Sequence, residues 1–96
     1  IFSYNILVNY MKRIDLNIYD KSMGLLIDVS SPETYLQKMV PGSVNIPYQK
    51  LLLNYKTLLD KNKKYYIMCS KGMHSRKVVS ILEFYGYDVT QVIRNE

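Results

Sequence analysis

Short apolar runs alternate with amphipathic stretches along this chain, and each change of period marks an element. Near the start, Ile6, Leu7 and Tyr10 share one face at helical spacing, and Ser3 can cap a helix from Tyr4 to Arg13. From Ile14 to Met23 the pattern is ambiguous. Ile14, Leu16 and Ile18 alternate with Asp15 and Asn17 as in a short strand, yet the stretch equally suits a helix tail and a loop. Leu25-Leu26-Ile27-Asp28-Val29 is apolar on both faces, which predicts a buried parallel strand. Ser31, Pro32 and Glu33 then supply a cap, a proline at the first helical position and a first-turn carboxylate. The helix they start must end before Pro41-Gly42. Ser43 to Ile46 reads as a short strand closed by Pro47, and Tyr48 to Leu59 as a short helix or two turns. After a loop at Lys61 to Lys63, Tyr65-Tyr66-Ile67-Met68 is the next strand, with Cys69 at its C-terminal end. Ser70 to His74 is a loop. Ser75 to Tyr85 is a helix with Val78, Val79, Ile81, Leu82 and Tyr85 on one face, stopped by Gly86. Val89 to Ile93 is the last strand.

Strands and helices alternating in short units predict an α/β fold, a mostly parallel sheet with helices on both faces. In such sheets ligands bind at the carboxyl ends of the strands, where Cys69 lies. A length of 96 residues leaves room for a single domain, residues 1–96. With 48% hydrophobic and 22% charged residues the chain is globular rather than disordered. Its apolar runs fall far short of the roughly 20 residues of a membrane span, so no membrane association is expected. The sequence opens at Ile1, and no basic segment precedes an apolar stretch there, so no signal peptide is read.

A single cysteine excludes an intrachain disulfide and supplies no metal cluster, and no cofactor is expected. It fits a reducing compartment, most simply the cytoplasm. The net charge of +5 is spread along the chain, densest at Lys61, Lys63 and Lys64. That cluster reads first as a solvated loop, and second as a docking patch for an acidic partner. The ten tyrosines form no spaced stacking platform, so no nucleic-acid partner is expected.

The segment Cys69-Ser70-Lys71-Gly72-Met73-His74-Ser75 joins a buried strand to a helix N-terminus. Loop and first-turn amides without helical acceptors can face the sulfur and form an anion nest. Their dipoles favour a thiolate, Lys71 adds a full positive charge and His74 a partial one, and Gly72 permits the tight turn. Cys69 is the candidate nucleophile. Ser70, Lys71, Gly72, Met73, His74 and Ser75 are the candidate substrate-binding residues. The competing reading is an inert cysteine ending a core strand.

Two blocks carry a resemblance. Asp28-Val29-Ser30-Ser31-Pro32-Glu33-Thr34-Tyr35 with Pro41-Gly42-Ser43-Val44-Asn45-Ile46-Pro47, and Cys69 to Val89, together resemble the rhodanese family over about Leu25 to Val92. The resemblance implies a rhodanese-like fold with a five-stranded sheet and a six-residue loop starting at the nucleophile. It makes Asp28, Pro41, Gly42, Asn45 and Pro47 structural motif residues. It also implies transfer of sulfane sulfur from a small-molecule donor such as thiosulfate, through a Cys69 persulfide, to cyanide, a thiol or a partner protein. Lys71 would hold the thiosulfate dianion. Four departures from the family pattern stand out. Ser30 stands for the usual Arg, Lys38-Met39 for Gly-His, His74 for an Arg of small bacterial members, and Ile93-Arg94-Asn95 for Glu-Gly-Gly.

Two other functions compete. A phosphatase or arsenate reductase of related fold needs an Arg at the sixth position after the cysteine, as a forked oxyanion clamp. Here Ser75 holds that position, and Arg76, inside the helix start, should point away from the cradle or reach it obliquely. A binding module that keeps only the fold is disfavoured by Cys69, Lys71 and Gly72, and favoured by the missing Arg residues.

Overall fold

The computed structural model describes residues 11–94. Five parallel strands form one sheet in the order β1-β5-β4-β2-β3. They are β1 (Arg13–Asp15), β2 (Leu25–Asp28), β3 (Val44–Asn45), β4 (Lys64–Met68) and β5 (Asp88–Ile93). Three helices join them: α1 (Pro32–Lys38), α2 (Tyr48–Leu58) and α3 (Met73–Phe84). The register pairs Ile27 with Ile67, Ile67 with Gln91, and Gln91 with Arg13.

The order of strands dictates where the helices go. From β2 to β3 the chain steps toward one edge, and from β3 to β4 and β4 to β5 it steps back. Right-handed crossovers then place α1 on one face and α2 and α3 on the other. Packing agrees. Leu51 of α2 and Val78, Val79 and Leu82 of α3 bury against Ile27, Ile67 and Val89. The opposite face buries Leu26, Tyr66, Met68 and Val92 under Ile14, Leu16, Tyr19, Met23 and Val40, the last following α1. Among the described residues, no helix is long and apolar enough to cross a membrane.

Local chemistry explains the element ends. Ser31 Oγ accepts from the Thr34 amide at 3.3 Å, so α1 starts on its predicted cap with Pro32 at the first position. Val40-Pro41-Gly42-Ser43 closes a turn in which Ser43 N–H donates to Val40 O at 3.0 Å and Gly42 takes φ +86°. Gly24 is a glycine for want of space: a Cβ there would lie 2.5 Å from Lys64 O.

Most expected elements appear within a residue or two of their predicted ends. The early helix from Tyr4 to Arg13 falls mainly on residues outside those described. Its last three positions are not helical: Lys12 O accepts from Gln91 N–H, and Arg13–Asp15 pair with β5. The ambiguous Ile14 stretch thus divides into the end of a strand and a run of turns, with Tyr19 O–H donating to Gly24 O. α3 begins at Met73 rather than Ser75, because Gly72 turns the chain at φ +77°. Tyr85, expected on the buried face of this helix, is 49% exposed, and Tyr87 takes a place in the core.

Candidate active site

β2 and β4 are neighbours whose chains leave in opposite directions. A crevice opens at such a point, beyond the carboxyl ends of the strands. Cys69 follows β4 directly and Val29-Ser30 follow β2, so both reach it. The β2 side is braced by hydrogen bonds. Asp28, buried, accepts the Ser30 amide at 2.8 Å through its carboxylate. Asn45 Nδ2 donates to Asp28 O and Ser30 O, both at 2.9 Å. Ser30 Oγ then accepts the Ser70 amide at 3.1 Å, tying the cysteine loop to the neighbouring strand.

Cys69 is buried, only 5% exposed, and its sulfur lies at the start of α3. The first amides of a helix lack internal acceptors, and that of Ser75 points at Cys69 Sγ, 3.2 Å away. The Ser75 hydroxyl is 3.4 Å from the same sulfur. Gln91, buried on β5, donates from Nε2 to Gly72 O at 2.9 Å and to Ser75 Oγ at 3.0 Å. Because Gln91 fills an acceptor site on that hydroxyl, the one Ser75 proton is left for Gly72 O, at 3.2 Å, or for the sulfur. A thiolate wins that competition, since hydrogen bonds to ions are the stronger kind. Gln91 Oε1 is itself buried without a partner.

Above the sulfur is a pocket of about 360 Å³. Cys69, Ser70, Lys71, Gly72 and Met73 line one side, and Arg76 joins them from the first turn of α3. Gln91, Ile93 and Arg94 form the far wall, with Arg13 from β1 beyond. No carboxylate is among these residues. Among the described residues, no group of His, Cys, Asp and Glu could hold a metal ion.

Of the expected loop residues, Ser70 to Met73 line the pocket and Ser75 touches the sulfur. His74 is engaged elsewhere: its ring stacks on Tyr48, with centroids 4.0 Å apart and planes 17° from parallel. Arg76, expected to point away from the cradle or to reach it obliquely, is part of the pocket wall. Asp28 and Asn45 brace the crevice, whereas Pro41 and Gly42 shape a turn and Pro47 precedes α2.

A family model for the rhodanese-like domain matches residues 11–95. The chain belongs to that family. Rhodanese-like relatives bear this out. The chain is 37% identical over 62 residues to the thiosulfate sulfurtransferase PspE of Escherichia coli K12, covering 64% of this chain and 60% of that protein. The crystal structure of reduced Bacillus anthracis CoADR-RHD matches with a TM-score of 0.78 and 29% identity, over 95% of this chain but 17% of that one. A rhodanese-like domain protein from Staphylococcus aureus matches with a TM-score of 0.70 and 29% identity, over 85% and 84% of the two chains. The chain therefore spans about 60% of the curated E. coli relative and a small part of the B. anthracis protein.

Within this rhodanese-like site, sequence reasoning missed Gln91, Arg13 and the Ser30 tie. Gln91 did leave a signal: Val89, Gln91 and Ile93 share one face of β5, so a polar residue stood at a core-facing position. Arg13 left none, since its strand pairs with a segment at the other end of the chain.

Proposed function

We propose that this domain is a sulfurtransferase that carries sulfane sulfur on Cys69 as a persulfide, with thiosulfate as donor. The observation that supports it most is the Cys69 sulfur held by the Ser75 N–H at the floor of a cation-lined pocket. The Cys69 thiolate attacks the outer sulfur of thiosulfate. The sulfur–sulfur bond to the sulfonate breaks, its electron pair leaves on sulfite, and the transferred sulfur stays on Cys69. A second nucleophile, a small thiol, cyanide or a protein cysteine, then removes it. In this scheme Lys71 and the amides of Ser70 to Met73 hold the donor's sulfonate, and Ser75 supports the thiolate whenever it forms. His74, stacked on Tyr48, steadies the first turn of α3. The name of the E. coli relative supports thiosulfate as the donor. A working free thiol suits a reducing compartment, and on that ground we place the activity in the cytoplasm.

Intact-mass analysis after thiosulfate treatment tests the proposal. Wild-type protein should gain one sulfur atom, and Cys69→Ser none. An unlabelled wild type would favour a binding module. Hydrolysis of para-nitrophenyl phosphate that disappears in Cys69→Ser would favour a phosphatase.

A further inference from the structure

The pocket is larger and more positive than thiosulfate requires. Thiosulfate has five heavy atoms, roughly 150 Å³ even if each takes a water's share of about 30 Å³. The pocket holds about 360 Å³. That volume lies in the range of small organic ligands, about 300–1,000 Å³. Arg13, Lys71 and Arg76 bring three positive charges to its lining, against the two negative charges of the donor.

The cations are also unevenly placed. Lys71 belongs to the loop that starts at the sulfur. Arg13 sits a full strand further out. It pairs in register with Gln91, and paired residues of parallel strands share a face. Gln91 reaches Gly72 and Ser75, so Arg13 lies on that same face, about 5 Å beyond it toward the β1 edge. Arg76 and Arg94 flank the space between. The pocket thus runs from the sulfur to the guanidinium groups of Arg13 and Arg76, which an inorganic donor bound at Lys71 leaves unused.

We propose that this guanidinium wall is a second anion subsite, and that the acceptor it selects is a small thiol carrying one or more carboxylates. This rests on the sulfurtransferase reading. The acceptor thiolate attacks the outer sulfur of the Cys69 persulfide. The Cys69 Sγ–S bond breaks, its electron pair returns to Sγ, and the new sulfur–sulfur bond forms on the acceptor. The proton on the transferred sulfur travels with it, so no oxidant or reductant is consumed. A carboxylate meeting Arg13 or Arg76 fits the forked donor geometry of guanidinium, which a lysine would not offer.

The test uses three acceptors: neutral 2-mercaptoethanol, 3-mercaptopropionate with one carboxylate, and mercaptosuccinate with two. Protein loaded with thiosulfate is mixed with each at equal thiolate concentration, and persulfide loss is followed by intact mass. Rates should rise with carboxylate number, by about fivefold for each guanidinium engaged at an exposed wall. The advantage should shrink with added salt and in Arg13→Gln. A rate order set by thiol basicity alone, or a preference untouched in both Arg13→Gln and Arg76→Gln, overturns the subsite. A second measurement needs no persulfide: (methylthio)succinate, which cannot react, should protect Cys69 from iodoacetamide better than glycerol does. If the protein fails to load but protection holds, the sulfurtransferase reading fails and the subsite stands. Absence of protection overturns the subsite in either case.

Discussion

Gln91 offers a place where stability and activity should come apart. Gln91→Met keeps the length of the side chain and removes its polar atoms. Two hydrogen bonds are lost, to Gly72 O and Ser75 Oγ, each contributing about 1 kcal/mol. Against that, the unpartnered Oε1 disappears, and relief of a buried orphan returns about 1–3 kcal/mol. The net change in folding free energy is therefore within about 1 kcal/mol. For a domain of this size that moves the melting temperature by no more than about 8 °C, in either direction. Activity has no such compensation. Without Gln91, Gly72 O loses its other donor and competes more strongly with the sulfur for the single Ser75 hydroxyl proton. A penalty of about 1 kcal/mol on the thiolate slows sulfur loading about fivefold. Melting curves and the rate of sulfur gain from thiosulfate measure the two effects separately. The same change on a Ser75→Ala background should slow loading no further, because Gln91 acts through Ser75. An unaltered loading rate in Gln91→Met refutes the reasoning. So does a melting temperature lowered by more than about 15 °C, which would make Gln91 a structural prop.

Lys71→Ala should raise KM for thiosulfate with little change in kcat, if this pocket-lining side chain binds ground state and transition state alike; steady-state sulfur transfer to cyanide reads both. Gly24→Ala places a methyl group 2.5 Å from Lys64 O and should destabilise the β2–β4 junction by about 1–3 kcal/mol, seen as a lower urea midpoint. Tyr19 is held above its ordinary titration point of 10.0, first by burial and then by the nearby Asp20 and Tyr66. Its raised folded-state value gives stability that is complete below pH 10 and is lost as pH rises through that value, so wild type should weaken more steeply than Tyr19→Phe in alkaline urea titrations.

Much of this architecture was legible because its signals are local. Ser31-Pro32-Glu33 announces α1, Gly86 ends α3, and the doubly apolar β2 and β4 runs imply a sheet covered on both sides. Cys69 could be singled out because strand end, glycine turn and helix start lie within a few residues of one another. What stayed hidden depends on pairing. Arg13 and Gln91 meet Cys69 only through sheet order, which no window of sequence contains. Ser30 looked like the loss of an ion-pairing arginine, yet its hydroxyl ties β2 to the Ser70 amide. His74 looked like part of the cradle from spacing alone, but two residues along a helix turn a side chain by more than half a circle. The neighbouring Tyr48 then captures the ring.

The strand order also has a kinetic side. Among the described strands β1 lies at the edge of the sheet and pairs with β5, which is far from it along the chain. Closing so long a loop is slow compared with joining β4 to β5 through α3. The central strands and α3 should therefore assemble the sulfur cradle first, with β1 docking onto a finished site. Among the described residues this edge strand has three register pairs, all with β5, so it should be the first part of the sheet to open in the native state. Amide exchange at Gln91, which bonds Lys12 O across this edge, should run ahead of exchange at Ile67 in the centre. The Arg13 wall of the pocket would then come and go on its own timescale while the Cys69–Ser75 pair stays in place.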